Sequence, residues 1–365
     1  MGPRRAPIVG LLLCALALTC GQQATPEADA SVVAGDAHEI DAQNAKGSTM
    51  TQDAPPQAAL PSLKPKLALR AARPWSFPAT VGPVVLGSAL AFKFDDVFST
   101  PMFLLTLVTT LSVHAAGNLM NTYFDYTRGV DTPSSSDLTL VTGQLLPGQV
   151  AKLISGAYGV AAVAALPLCA LSPAPLPVLL SLLAAGAGSA FVYTGGPGLK
   201  YKALGDILIS GTFGPLLVAF TYAVQTGTLN WRPLVASIPL TLHIEAILHA
   251  NNARDVQEDL ASGIKTLAAR LGEAMSSQFY AALLALPFLA PLYAATFHSL
   301  LAALPMITAP KARKLAADFA AGRFVDLPKR TAKFQFLFAM LFVAGSLLPS
   351  PSLATLGRRV VSVFR

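Results

Sequence analysis

Asn118, Asn121 and Asp125 stand at spacings i, i+3 and i+7 in the stretch NLMNTYFDYTRGVD, residues 118–131. On a helix they fall on one stripe, at the end of a long apolar run. Gly129 marks a break or cap, and Asp131 follows it. A second stretch, HANNARDVQED at 249–259, repeats the chemistry, with Asn251, Asp255 and Asp259 spaced i, i+4 and i+8. Asn and Asp at helix ends are often only caps. Two such stripes at the ends of apolar helices argue for more, because a carboxylate at the centre of a bilayer costs about 2.5–3.5 kcal/mol and marks function by default. Facing carboxylates repel unless a cation lies between them. Two oxygen-rich faces suit Mg2+, which prefers carboxylate and phosphate oxygens. The assembled site therefore predicts Mg2+ and a diphosphate, with Asp125 and Asp255 as the catalytic carboxylates.

The elements that position these stripes are apolar helices. The chain has 365 residues, 53% hydrophobic and 12% charged, where soluble domains carry about 25% charged residues. Several runs of roughly twenty apolar residues predict an all-α, polytopic membrane protein. About nine spans are expected, at 77–94, 101–126, 150–171, 175–194, 204–225, 233–253, 276–295, 297–309 and 332–350. Residues 1–22 read as a targeting segment, with Arg4 and Arg5 before a short apolar run. Residues 23–66 read as a disordered linker, 67–350 as the membrane domain and 351–365 as a basic tail. The net charge of +7 does not indicate nucleic acid, because the basic residues flank the spans. With the first span entering from the cytosol, nearly all loop Lys and Arg lie on the cytosolic side, and Lys93 and Arg232 lie opposite. Both acidic stripes then reach the cytosolic face. Asp95 and Asp96 fall on the other side and read as solvated loop. Cys14, Cys20 and Cys169 form no CxxC pair, so neither a disulfide framework nor a cysteine zinc site is indicated.

Basic groups should meet the outer phosphate oxygens. Arg73, Arg128, Lys200 and Arg254 are the candidates, and each also fits plain membrane topology. Lys200 lies in TGGPGLKYKALGD, a glycine-rich loop that lets backbone N–H groups approach phosphate. Asn118 and Asn252 join the substrate-binding set. Tyr123, Phe124, Tyr193 and Tyr222 are candidates to face an allylic cation, although most aromatics in spans are packing. Glu245 and His249 are four apart on the sixth span. The spacing is not HExxH and the sequence offers no evident third ligand, so a buried pair or a pair lining the acceptor pocket is expected there. A transporter would show inverted repeats and broken spans with carboxylates at midplane, which these end-placed motifs do not match.

On these motifs the chain resembles the UbiA superfamily of intramembrane prenyltransferases, in particular its animal branch. The resemblance runs from about Leu69 to Leu348 and covers LRAARPWSF, GNLMNTYFDYTRGVD, the TLV at Thr139–Val141, YTGGPGLKYKALGD, TFGPL, EAILHANNARD and LPKRTAK. It implies about nine helices around a central cavity. It also implies that Asn121, Asp125 and Asp131, with Asn251, Asp255 and Asp259, hold Mg2+ and a prenyl diphosphate. Lys200 and Arg73 match basic residues of the family. The implied reaction transfers a geranylgeranyl group to menadione or its reduced form, giving menaquinone; 1,4-dihydroxy-2-naphthoate, 4-hydroxybenzoate and homogentisate are alternative acceptors. The resemblance further implies the endoplasmic reticulum or Golgi and a sterol-synthesis reductase as partner. A non-catalytic, lipid-sensing role is the competing reading. Ser136, Leu138 and Leu260 stand where the family pattern carries charged residues.

Overall fold

The computed structural model describes residues 65–356. The expected targeting segment, the linker through residue 64 and the tail beyond residue 356 lie outside them. Every regular element among the described residues is a helix, as a chain of apolar runs requires when lipid offers the backbone no hydrogen-bond partner. Helix α1 (Pro65–Ala71) leads through a short turn into α2 (Pro78–Asp95), and the two segments meet at 56°. Arg73 makes that corner with a left-handed φ of 51°, a strained conformation for a residue with a Cβ. Then come α3 (Thr100–Thr127), α4 (Pro147–Leu171), α5 (Leu176–Thr194), α6 (Gly205–Thr226) and α7 (Trp231–Arg254). The short α8 (Val256–Ala261) precedes α9 (Leu267–Ala285), which continues into α10 (Leu289–Phe297), and α11 (Ala309–Ala320) and α12 (Leu327–Leu347) follow.

Caps set several starts. The Met102 N–H donates to Ser99 Oγ at 3.4 Å, and the Arg232 N–H to Asn230 Oδ1 at 3.0 Å; each satisfies a donor the first helical turn cannot. Prolines inside spans are absorbed differently. Pro167 and Pro239 sit within α4 and α7, Pro287 falls in a 3-10 turn between α9 and α10, and Pro215 lies in a π turn, Thr212–Leu216, that interrupts α6. A wide turn suits a residue with no N–H to give.

Among the described residues, six helices are long and apolar enough to cross a bilayer, and seven if the bent α1–α2 pair is one span. The expected eighth span, 297–309, is instead a 3-10 segment at Leu300–Thr308, nine residues long. At about 2 Å per residue it reaches roughly 18 Å, short of a hydrocarbon core of about 30 Å, and it runs directly into α11.

One large core joins α2, α3, α6, α7 and α12 through Leu86, Phe103, Val218, Tyr222, Leu240 and Phe338. A second joins α7, α9, α11 and α12 through Tyr280, Phe319, Leu327 and Phe334. His243 is fully buried, edge-on to Phe338 and Phe334 at 4.4 and 4.8 Å, which makes it a core residue. Helices α6 and α7 touch at Gly214, where an added Cβ would lie 2.1 Å from Thr241 Oγ1. Val163, Leu166, Leu180 and Leu289 are exposed on the outer faces, as lipid contact requires. Asp318 of α11 pairs with Arg323 at 2.6 Å and with Arg330 of α12, tying these helices together at the end where the acidic motifs lie.

Candidate functional site

The first motif lies where α3 ends. Asn121 and Asp125 are buried, and both face the loop between α5 and α6. Lys200 Nζ lies 2.6 Å from Asp125 Oδ2 and 3.4 Å from Asn121 Oδ1, and the Tyr201 hydroxyl donates to Asp125 Oδ1 at 2.7 Å. Burial is the largest single influence on the Lys200 ammonium and works against it, but the Asp125 charge and hydrogen bond, with the Asp259 charge, together hold the lysine pKa above its ordinary value. The chain leaves α3 through Gly129, whose φ of 70° allows the turn. The Asp131 N–H then points back to the Asp125 carbonyl at 3.3 Å. Burial, followed by the Asp125 and Asp137 charges, pushes the Asp131 carboxyl up to about 7.

The second motif occupies the end of α7 and α8. Arg254 grips Asp255 with two hydrogen bonds, 2.7 and 2.8 Å, and donates to Asn251 Oδ1 at 3.0 Å. The same guanidinium reaches Ser136 Oγ at 2.9 Å, in the loop that follows the first motif. Asp259 is buried. Burial pushes its carboxyl up to about 7; Lys200 opposes that rise, and the Asp255 and Asp125 charges add to it. The field of Asp125 at Asp259 and the bridge from Arg254 to Ser136 bring both motifs to one place.

The other predicted contacts brace this site. Arg73 Nη2 donates to Asp137 Oδ2 at 2.8 Å, Thr122 Oγ1 donates to the same oxygen at 2.6 Å, and the Thr139 N–H donates to Asp137 Oδ1 at 3.0 Å. Against burial, which raises it, these partners hold the Asp137 carboxyl well below the usual carboxylate range. Asn118 Nδ2 donates to the Ala72 carbonyl at 2.8 Å and to Ser76 Oγ at 3.0 Å, so it fastens the Arg73 corner to α3. Arg128 is exposed; it lies over the Tyr201 ring at 4.5 Å and donates to the Gly196 carbonyl at 3.4 Å. The glycine-rich loop acts here through side chains: it closes in a short 3-10 turn, Leu199–Lys202, that turns Lys200 and Tyr201 onto Asp125.

Beneath the motifs lies a cavity of about 190 Å³, more than ten times the room one water needs. Arg73, Asn118, Asn121, Lys200 and Asn251 line its polar end, and Leu182, Leu183, Leu216, Leu217 and Phe220 its apolar part. Tyr193 lines it; Tyr123, Phe124 and Asn252 do not, and Asp125, Arg128, Asp131, Arg254, Asp255 and Asp259 lie outside its wall. Tyr222 is a correction: it is buried in the core and donates to Asp95, at the opposite end of the bundle. Asp95 is exposed at the end of α2, on the side expected for it, and also accepts this bond. Glu245 and His249 lie off this cavity's wall and are buried, the first of the two expectations for them. Trp75, His114 and Phe213 line it and were not singled out from the sequence. His114 lies on the stripe of Asn118 and Asn121, at i, i+4 and i+7, and that spacing was the available signal. Its nitrogens meet Thr80 Oγ1 at 2.7 Å and Ser76 Oγ at 3.1 Å.

A sequence profile, the UbiA prenyltransferase family, matches residues 80–353. The chain belongs to that family. It is 44% identical over 306 residues to UbiA prenyltransferase domain-containing protein 1 of Homo sapiens, covering 82% of this chain and 90% of the relative. Among solved structures, the apo UbiA homolog from Aeropyrum pernix shares the fold at a TM-score of 0.55, with 18% identity, over 76% of this chain and 97% of that one. A UbiA homolog from Archaeoglobus fulgidus, bound to GPP and Mg2+, aligns at 0.50 with 15% identity, over 77% of this chain and 98% of that one. This UbiA member is a prenyltransferase with a multi-pass helical membrane fold. Its two motifs fit Mg2+ in donor chemistry, being all oxygen. Each also accepts a positive side-chain group between its Asn and Asp, Lys200 in one and Arg254 in the other, so both are shaped to take positive charge.

Proposed function

We propose that this site transfers an isoprenyl group, geranylgeranyl by family resemblance, from its diphosphate to a naphthoquinone-type ring, reduced menadione, in menaquinone synthesis. The approach of the two Asn/Asp motifs, which reach the polar end of an apolar cavity through Asn121 and Asn251, carries this reading. Asn121, Asp125, Asp131, Asn251, Asp255 and Asp259 would hold Mg2+, which would supply the positive charge an acidic mouth needs to accept a diphosphate and to stabilise it as a leaving group. Lys200 and Arg254 exchange carboxylate partners for phosphate oxygens, and Arg73 and Arg128 meet the outer ones. The allylic C–O bond breaks with its electron pair on the diphosphate. The carbon left positive faces the rings of Tyr193, Trp75 and Phe213, whose quadrupoles favour it, in a cavity whose apolar walls exclude water. A ring carbon of the reduced acceptor forms the new C–C bond and the ring proton is lost.

By the asymmetry of loop Lys and Arg the site faces the cytosol, and by family resemblance it does so from the endoplasmic reticulum or Golgi, where a sterol-synthesis reductase can meet the protein. The test uses membranes that express the chain, geranylgeranyl diphosphate and a panel of acceptors. Reduced menadione should be prenylated faster than 1,4-dihydroxy-2-naphthoate, 4-hydroxybenzoate or homogentisate. Faster prenylation of another ring overturns the acceptor. No product from any ring, with the diphosphate still bound, favours the lipid-sensing role.

A further inference from the structure

Three buried side chains outside the diphosphate site share one small volume. Asp206 opens α6, Glu245 and His249 lie one turn apart on α7, and one ligand atom of each lies within 4.8 Å of the other two. They are 7%, 6% and 0% exposed. Asp206 Oδ1, Glu245 Oε1 and His249 Nδ1 meet no donor, and the Asp206 and Glu245 carboxyls lie within hydrogen-bond reach of each other. Buried polar atoms are nearly always paired; a proton shared by the two carboxyls answers them but leaves the His249 nitrogen open, whereas one cation answers all three. Among the described ion pairs, neither carboxylate meets a Lys or Arg. Two facing carboxylates repel unless a proton or a cation lies between them.

The remaining atoms of the cluster are held so that the orphans face inward. Ser210 Oγ donates to Glu245 Oε2 at 2.6 Å. His249 Nε2 lies 3.2 Å from the Ser276 carbonyl and 2.7 Å from Ser276 Oγ on α9. A carbonyl only accepts, so Nε2 carries the proton and Nδ1 is left with its lone pair. An imidazole that donates one nitrogen to a carbonyl and offers the other is how ligating histidines are oriented. Ile209, Ile244, Ile247 and Leu248 line the cavity, and the cluster sits behind that wall.

We propose that Asp206, Glu245 and His249 form a second cation site, for a borderline divalent ion such as Zn2+ or Mn2+, separate from the Mg2+ motifs. Mixed imidazole and carboxylate ligands suit such ions, and two carboxylates balance the charge. The ion ties the start of α6 to α7 and both to Ser276 of α9. Asp206 stands just past the loop that carries Lys200, and α7 carries Asn251 and ends at Asp255, so the site fixes two sides of the diphosphate pocket against each other. The sequence alone shows two of the three ligands; the fold supplies Asp206.

The test uses the full chain, purified in detergent with Mg2+ in excess, stripped by chelation and then titrated with Zn2+ or Mn2+. Metal content and thermal midpoint are read. The wild type should hold about one ion per chain and gain stability from it. Asp206→Asn, Glu245→Gln and His249→Ala should each lose affinity by about 10- to 100-fold, whereas an Asp125→Asn/Asp255→Asn double variant keeps the ion. A stripped wild type that gains no stability from either ion overturns the site whether or not the variants fold, and leaves a carboxyl pair sharing a proton. Loss of the ion in the double variant overturns it as well, by assigning uptake to the diphosphate site.

Discussion

Lys200 Nζ lies 2.6 Å from Asp125 Oδ2, with the two side chains 12% and 5% exposed. A loop lysine therefore holds a buried carboxylate of the first motif, and the Tyr201 hydroxyl holds its other oxygen. Any cation or phosphate entering the site must draw on this pair. Lys200→Met leaves Asp125 buried without its partner, which costs about 3–5 kcal/mol when one member of a buried pair is removed. Thermal unfolding in chelator should show that loss, and Mg2+ should recover much of it, because the ion replaces the missing positive charge. Equal loss with and without Mg2+ contradicts the shared-site reading.

Asp131 and Asp259 give the site a pH signature. Both carboxyls are pushed up to about 7 from an ordinary value near 3.8. A folded-state pKa above the unfolded one means that the folded protein holds the extra protons. Their contribution to stability is then full below pH 3.8 and is lost as pH rises through about 7. Mg2+ needs these groups ionised, so its binding competes with the protons and releases them. The Mg2+-induced rise in thermal midpoint should be larger at pH 8 than at pH 6, by a few degrees, and the Asp131→Asn/Asp259→Asn variant should show a flat dependence.

The turn at Gly198 positions Lys200 and Tyr201. Its φ is 56°, and an added Cβ would lie 2.6 Å from the Tyr201 ring and 2.8 Å from Arg128 Nη1. Gly198→Ala should pull Tyr201 and Lys200 off Asp125, raise KM for the diphosphate about tenfold and leave the bundle folded. Unchanged KM with normal expression would show that the loop tolerates the shift.

Asp137 is the keystone of the loop after the first motif, bound by Arg73, Thr122 and the Thr139 N–H. Asp137→Asn removes the charge that Arg73 answers. A hydrogen bond to a charged group is worth about 1.5–3 kcal/mol, and the loss should appear as reduced stability and faster proteolysis within residues 132–139. Protection equal to that of the wild type would exclude the clamp.

The apolar patterning made the helical membrane fold legible, because the bilayer forces each span to announce itself in about twenty residues. Asn118, Asn121 and Asp125 were legible by helical spacing; the second stripe was legible as a motif, but its single helix face breaks at Asp255, which leaves Asp259 on α8. The pairing of Lys200 with Asp125 was not, since the partners stand 75 positions apart and only the fold joins them. Tyr222 misled because a tyrosine in a span looks alike whether its hydroxyl faces a cavity or, as here, Asp95. The span at 297–309 misled because apolar composition does not separate a full helix from the nine-residue 3-10 segment found there. Asp206 was not legible as a partner of Glu245 and His249, because helix spacing relates residues within one helix and not between α6 and α7.

The account rests on two carboxylate motifs acting together at one site. The most direct test is prenyl transfer from geranylgeranyl diphosphate to reduced menadione in membranes that carry the wild type, Asp125→Asn or Asp255→Asn, each with Mg2+ or chelator. Product should require Mg2+, and either substitution alone should reduce the rate by at least about 100-fold, because removing one charge-stabilising group of a preorganised site costs about that much. Product that persists in chelator, or that either variant makes at the wild-type rate, would contradict the paired-motif account.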